Sequence, residues 1–288
     1  MSGYSPPPPP PTGGHQQHDQ GGGFGAPEHR RKMWRNLVLA VVGLIFAGWL
    51  ILWLLGLLAA KLVNWVPTDV DVAIGEQNWK ELAPESSHCT DPGPLAYVEE
   101  LAQPLIAASN SEFEFHFVVV DAQEVNAFAL PGGFVTVNMG LLEAAETGEE
   151  VAAVIAHEMT HVTNRRGMRA VLRRVGGLAL VSMVFGGTNL ETLAWAAEGL
   201  SSQAHSRDQE RDADDGGRKI LMDAGVDPTG MATFFERLEA EGASMPGAAV
   251  LLSTHPNPGE RAETTRVIAA SFTPTLDLPD PPDDLKCR

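Results

Sequence analysis

An uncharged stretch at residues 37–60 is the feature of this chain that most limits how it can fold. At 1.5 Å per residue a helix of this length reaches about 36 Å, enough to cross the ~30 Å hydrocarbon core of a membrane. Trp34 and Trp65 flank the stretch, where aromatic side chains commonly meet the membrane surface. The run is too long for a cleaved signal peptide, and Lys61 follows it directly. We therefore predict a membrane-spanning signal-anchor helix over residues 34–64.

The two flanks of this helix differ in composition and charge. Residues 1–33 are rich in Pro, Gly and Gln, and we predict a disordered tail because such a segment buries too little apolar surface to fold. Only Lys61 follows the apolar stretch closely, whereas four basic residues precede it: Arg30, Arg31, Lys32 and Arg35. The positive-inside rule then keeps the N-terminus in the cytoplasm. The rest of the chain is expected across the membrane, in a periplasm or otherwise outside the cytoplasm.

Residues 67–288 are expected to form one domain of ordinary size. They hold 15 Lys and Arg against 35 Asp and Glu, a net charge of −20. Such an acidic domain argues against nucleic acid as a partner and against electrostatic docking on anionic lipid. Its two cysteines, Cys89 and Cys287, can pair in an oxidising compartment, and the sequence alone leaves open whether they do.

The sequence HEMTH at residues 157–161 limits the chemistry of this domain more than any other motif. Residues four apart lie on one face of a helix, so His157 and His161 can both bind one metal ion. Glu158 then lies beside the ion, where its carboxylate can take a proton from an attacking water and return it to a leaving amine. The spacing is the H-E-x-x-H signature of zinc peptidases, which chance can also produce.

A catalytic zinc needs a third protein ligand, with one position left open for water. One peptidase class uses a third histidine six residues after the motif, but Gly167 stands there. The remaining candidates are the next carboxylates along the chain: Glu191, Glu198, Asp208 and Glu210. Glu210 stands out because Asp214 follows it by one helical turn, where it can hydrogen-bond to a ligand imidazole.

Three segments together carry a family resemblance: HEMTHVTNRRG from residue 157, SRDQERDAD from residue 206 and NAFALPGGFVTVNMGLL from residue 126. Over roughly residues 94–266 the chain resembles the HtpX, BepA and CAAX-protease group of membrane-associated zinc metallopeptidases. The resemblance implies that His157, His161 and Glu210 hold one zinc ion per chain. It also implies that Glu158 is the general base and acid and that Asp214 supports the site.

The same resemblance implies an α+β fold, with a mostly helical zincin-like domain, a small β-sheet and the transmembrane helix in front. Alternating apolar side chains predict a strand that begins near Phe113 and ends at Asp121, and residues 134–137 are expected to form a second strand. Residues 151–164 are predicted to form the metal-binding helix. An apolar segment at 175–187 is too short to span a bilayer and suits a buried helix better than one that dips into the membrane.

The glycine-rich turn before residue 134 has two interpretations. It suits an ordinary hairpin, or an edge that receives an extended substrate chain as an added strand. In the family that the chain resembles, the segment before the zinc helix forms such an edge. The resemblance therefore points to three substrate-binding residues, Asn126, Ala127 and Phe128.

His255 lies in the sequence Thr254-His255-Pro256, which resembles a loop that follows the third ligand in the same family. There the histidine approaches the active site. It can steady the oxyanion during catalysis, or it can occupy the open position on zinc in a latent state. The alternative is a histidine that only caps the turn before Pro256.

The sequence thus predicts a membrane-anchored zinc metalloendopeptidase, and the resemblance suggests that it hydrolyses misfolded or unassembled envelope proteins. The alternative is an envelope chaperone or assembly factor that binds such clients and cuts little. Glu158 favours the peptidase, because a protein that only binds clients needs no general base. The donor set alone does not distinguish zinc from another first-row divalent metal.

Overall fold

A computed structural model of the chain describes residues 27–174, 206–241, 248–255 and 258–287. The predicted tail up to residue 26 and the apolar segment 175–187 lie outside these ranges. The described elements are, in order, α1 (Pro27–Leu62), α2 (Thr68–Leu82), α3 (Gly93–Ser109), β1 (His116–Val120), β2 (Ala127–Leu130), β3 (Phe134–Asn138), α4 (Met139–Ala144), α5 (Gly148–Thr163), α6 (Arg207–Asp223), α7 (Thr229–Glu241), α8 (Ala248–Thr254) and α9 (Pro258–Ala269). Residues 166–174 are also helical. The prediction of a mostly helical α+β protein with a small sheet is confirmed.

Helix α1 carries the uncharged stretch, and its residues 30–51 are long and apolar enough to cross a membrane. The helix begins at Pro27, within the segment that we assigned to the tail. Proline is favoured at the first helical position, and no helix breaker stands between it and the apolar stretch. The division of the chain into tail, anchor and domain stays a prediction. Grouped by the contacts between residues, the chain divides into two units. The first ends at Ile51, and the second begins at Leu52 and carries all the elements after α1.

The sheet has three strands in the order β1-β3-β2, with β1 parallel and β2 antiparallel to β3. We expected two strands, and the additional one is β2. Its four residues do not alternate between buried and exposed, so the pattern gave no strand signal. A tight turn joins β2 to β3, and its Gly132 and Gly133 have φ angles of 85° and 105°, which suit only glycine. In the described part of the chain, β2 is an outer strand with one unpaired edge.

Helix α5 runs through the centre of the domain, and 14 of its 16 residues are buried. Thr147 caps its N-terminus by accepting a hydrogen bond from the backbone N–H of Glu150. Helix α6 crosses α5 closely because glycine faces it: a Cβ at Gly216 would lie 2.3 Å from Cγ2 of Thr160. This close approach brings the side chains of the two helices together at one place.

Cys89 and Cys287 form a disulfide, which resolves the question that the sequence left open. The bond holds the C-terminal segment against the rest of the domain. The hydroxyl of Tyr97 donates a hydrogen bond to the carbonyl of Pro279 over 3.0 Å. The backbone N–H of Leu278 donates to the carboxylate of Glu149, near the start of α5. The C-terminal segment therefore braces the start of the central helix.

Candidate metal centre

Two helices and one loop bring the predicted site residues together. His157, Glu158 and His161 lie on the central helix α5 and are buried. Helix α6 begins with a capping box, in which the Ser206 side chain accepts from the backbone of Gln209 and the Gln209 side chain accepts from the backbone of Ser206. The helix start is thereby fixed, so Glu210 lies in its first turn and Asp214 one turn later. His255 follows the end of α8.

Three nitrogen and oxygen donors converge at the centre of this group. The Nε2 atoms of His157 and His161 are 3.1 Å apart. Oε2 of Glu210 is 3.5 Å from Nε2 of His157, and its Oε1 is 3.7 Å from Nε2 of His161. Ligand atoms that each lie ~2.1 Å from one tetrahedral ion are separated by about 3.4 Å. The spacing therefore fits three ligands of a single zinc-sized ion.

A buried carboxylate oxygen of Glu210 also indicates that the centre binds a cation. Oε1 of Glu210 has no hydrogen-bond partner among the described residues, although the side chain is only 1% exposed. A carboxylate oxygen that is buried without a partner costs free energy, and a bound metal removes this cost. Of the other predicted candidates, Asp208 is exposed and pairs with Arg211, so it is not in the group. Glu191 and Glu198 lie outside the described residues.

The comparisons with known proteins decide the family. Residues 94–269 match Peptidase family M48. The chain belongs to this family. Among its relatives are the "Beta-barrel assembly-enhancing protease" of Escherichia coli strain K12, 32% identical over 223 residues, and "Metalloprotease LoiP" of the same organism, 35% identical over 162 residues. "Mitochondrial metalloendopeptidase OMA1" of Schizosaccharomyces pombe is 30% identical over 218 residues.

The matches cover different shares of each chain. The first E. coli relative matches 72% of this M48 chain, which spans only 45% of that relative's length. "Metalloprotease LoiP" matches 52% of the chain and 61% of its own length, and the Schizosaccharomyces pombe relative matches 69% and 60%. The predicted resemblance to a group of metal-dependent peptidases is confirmed. The role of each site residue stays a prediction.

Asp214 and Arg261 surround the first histidine of the M48 motif. Nδ1 of His157 lies 3.0 Å from Oδ1 of Asp214, so an N–H at Nδ1 donates to the carboxylate and Nε2 keeps its lone pair for a metal. Arg261 donates to both oxygens of Asp214 at 2.7 Å, and its guanidinium lies 4.0 Å from the ring centroid of Phe235. We had assigned no role to Arg261, because its position depends on how α9 packs against the centre.

The charges of the centre are strongly coupled. Burial opposes a charge on Glu210, but His157 and His255 outweigh it and hold the pKa of Glu210 well below its usual range. Burial also opposes a charge on His157, yet Glu210 and Asp214 raise its pKa to about 9. Burial raises the pKa of Asp214, and hydrogen bonds from Arg261 and His157 bring it down to about 2. The buried carboxylates therefore favour a positive charge at this centre, which a bound cation would supply.

Glu158 and His255 complete the buried group. Burial raises the pKa of Glu158, partly offset by the nearby histidines, which suits a carboxyl that accepts and returns a proton. Nδ1 of His255 lies 2.9 Å from Oε2 of Glu210 and 3.2 Å from Nε2 of His157. Nε2 of His255 lies 3.6 Å from Oε1 of Glu158. His255 therefore lies among the metal donors, and it also follows the end of helix α8.

A cavity of about 300 Å³ opens beside this centre, and we call it the cleft. Strand β2 forms one wall, and Glu158, His161 and His255 also line it. Of the three predicted substrate residues, Ala127 and Phe128 are in the lining. Asn126 is not in the lining: it is buried, and its carbonyl accepts the backbone N–H of Asn138, the last residue of β3. Sequence reasoning did not foresee that Pro131, Arg165, Arg166 and Arg173 would also line the cleft.

Proposed function

We propose that this chain is a membrane-anchored zinc metalloendopeptidase that cuts misfolded or unassembled proteins of a cell envelope. The observation that carries the proposal is the buried group of His157, Glu158, His161 and His255, with Glu210 3.5 Å from His157, beside a cleft edged by a β-strand. Membership of family M48 and the printed names of the relatives support the reaction class. Because the chain spans less than half of the first relatives, its substrates and partners are part of the proposal.

The residues of the centre have separate tasks in this proposal. His157, His161 and Glu210 would hold the ion, and Asp214 keeps His157 in the tautomer that leaves Nε2 free to bind. A bound zinc ion would supply a Lewis acid and a water of lowered pKa. Glu158 takes the proton of the attacking water and later passes it to the leaving amine. Its burial raises its pKa, which makes the carboxylate a stronger base towards the attacking water.

Strand β2 positions the substrate. Its inner edge pairs with β3, and its outer edge pairs with no strand in the described ranges. An extended peptide can add to such an edge through main-chain hydrogen bonds, which bind chains of many sequences. An unfolded client offers extended chain, whereas a folded protein does not. The edge therefore supports the choice of misfolded or unassembled proteins as substrates, with Ala127 and Phe128 as contacts.

The topology follows from the flanks of α1. The basic residues before the apolar stretch keep the N-terminus in the cytoplasm, which sends the domain across the membrane. The disulfide between Cys89 and Cys287 agrees with an oxidising compartment. We therefore assign the peptidase domain to the periplasmic or outer side of a single-pass membrane protein.

A second candidate function is a client-binding factor with little or latent proteolysis. His255 favours it, since Nδ1 lies 3.2 Å from Nε2 of His157 and 2.9 Å from Glu210, as a fourth metal ligand would. A fourth protein ligand closes the position that an attacking water needs. In the peptidase proposal the same contact is reversible and makes cleavage slow until a client displaces it.

The test uses the full chain in detergent micelles with unfolded casein. The peptidase proposal predicts cleavage that stops after chelation and returns when zinc is added back. Binding of casein without cleavage, in wild type and in the His255→Ala variant, would establish the second candidate instead. Cleavage that survives complete removal of metal would exclude both.

A further inference from the structure

A concentration of positive charge follows the metal-binding helix. Residues 165–174 contain five arginines and no acidic residue, in a domain whose net charge is −20. Three of them line the cleft together with Glu158 and the histidines: Arg165, Arg166 and Arg173. We call this part of the cavity the arginine end of the cleft. A third of the 15 basic residues of the domain thus fall in one short segment beside the reaction site.

The three guanidinium groups differ in how far the chain itself neutralises them. Arg165 is bound to the carboxylate of Asp71 and donates to two backbone carbonyls near the end of α1. Arg166 pairs with the exposed carboxylate of Asp212 over 2.6 Å. Arg173 is exposed, and the described part of the chain provides no ion pair for it. Arg173 is therefore the cation at this end that can bind an incoming anion.

Repulsion among these cations also indicates that an anion from outside can bind here. Burial, together with the charges of Arg166, Arg165 and Arg173, lowers the pKa of Arg169. Cations that lower one another's pKa lie close together. A carboxylate from outside would relieve this repulsion and would gain charge-assisted hydrogen bonds, because a guanidinium group binds a carboxylate through two parallel donors.

Two contacts locate the arginine end along strand β2. The backbone of Ala129 hydrogen-bonds to the carboxylate of Glu158. Two residues later, Pro131 is so close to Gly167 that a Cβ there would lie 2.8 Å from the proline ring. Two residues of a strand span about 7 Å. A peptide that lies along β2 with its scissile bond at Glu158 therefore has a side chain two or three residues away beside the arginines.

We propose that the arginine end of the cleft is a specificity subsite for an acidic side chain, two or three residues from the scissile bond, with Arg173 as its main contact. The proposal rests on the peptidase function proposed above and adds to it a substrate class: extended segments that carry Asp or Glu near the cut. The preference is electrostatic, so it weakens as salt rises.

The first experiment maps cleavage sites. The full chain in detergent micelles is incubated with a peptide library, and the cut positions are read by mass spectrometry for wild type, Arg173→Gln, Arg173→Glu and the control Arg174→Gln. Arg174 is an exposed neighbour that does not line the cleft. We expect acidic residues to be enriched at one subsite by about three- to fivefold in wild type and control, which is the range of an exposed ion pair. In Arg173→Gln this enrichment should disappear. In Arg173→Glu the residues enriched at the subsite should be Lys and Arg instead.

A second experiment measures binding and does not depend on turnover. The Glu158→Gln chain, loaded with zinc, is titrated with two fluorescein-labelled ten-residue peptides that differ only by Glu or Gln at that subsite. The Glu peptide is expected to bind about three- to fivefold tighter at low salt, and Arg173→Gln should abolish the difference. Equal affinities, or an unchanged difference in Arg173→Gln, would overturn the subsite.

The two experiments distinguish failure of the proposed subsite from failure of the proposed peptidase function. Metal-dependent cleavage with no acidic enrichment in wild type removes the subsite and leaves the peptidase in place. Tighter binding of the Glu peptide, lost with Arg173→Gln, in a chain that never cuts keeps the acidic site and removes the peptidase.

Discussion

Nδ1 of His255 lies 2.9 Å from Oε2 of Glu210, across the group of metal donors. This contact places an additional imidazole where water must bind, so we expect it to restrain cleavage. The His255→Ala chain should keep one metal ion, because three ligands remain, and should cut unfolded casein faster by about tenfold, which corresponds to about 1.4 kcal/mol.

The control for this substitution is His116→Ala, which removes an exposed histidine that does not line the cleft. Its rate should match wild type. A loss of activity in His255→Ala with full metal content would show instead that the imidazole stabilises the transition state.

Asp214 is expected to support metal binding through His157. Asp214→Asn removes the charged acceptor of the Nδ1–H group and the carboxylate that pairs with Arg261. We expect the affinity for zinc to fall by about 10- to 100-fold. Competition with a chromogenic chelator measures this, with Asp208→Asn on the exposed side of the same helix as the control. An unchanged affinity would contradict a supporting role for Asp214.

The stability of the metal-free chain should depend on pH through His157, whose pKa is raised to about 9 in the folded state. A raised pKa stabilises the fold below the ordinary value of about 6.5, and this contribution is lost as the pH rises towards 9. The loss is on the order of 3 kcal/mol, which lowers the unfolding temperature by several degrees. Thermal unfolding at pH 6.5 and pH 9 tests it, with the zinc-loaded chain as the comparison. The reverse order in the metal-free chain would contradict the account of these charges.

The disulfide between Cys89 and Cys287 should stabilise the domain without taking part in metal binding. It links residues that are 198 positions apart and holds the C-terminal segment, which braces the start of α5. Replacing both cysteines by serine is expected to cost about 2–5 kcal/mol of stability and to leave the metal content unchanged. Thermal unfolding and metal analysis of the double variant measure the two effects. Free thiols in the chain isolated without reductant would show that the bond does not form in the cell.

Local spacing predicted the part of the site that one helix contains. Four residues separate His157 from His161, and helical geometry alone puts their Nε2 atoms close together. Glu210 is distant in sequence, and it reaches them only because α6 crosses α5 at Gly216. The spacing of Asp214 made Glu210 stand out among four candidate carboxylates, and the family resemblance implied that it is the ligand.

Features that depend on tertiary packing were not predictable from the sequence. Strand β2 is too short to show a pattern, and its place follows from pairing with β3. The arginines after α5 reach the cleft because the chain turns at Asn164 and Arg165, where Arg165 has a φ of 49°. A basic run in a sequence does not show which surface it will face.

The central claim is that a metal held by His157, His161 and Glu210 acts with Glu158 to hydrolyse peptide bonds. The most direct measurement determines metal content and casein cleavage together, for wild type and Glu158→Gln. We predict one zinc ion per chain in both, cleavage by wild type, and a loss of at least about 100-fold in the variant. Equal cleavage by the two chains, or zinc in both with no cleavage by wild type or His255→Ala, would contradict the account.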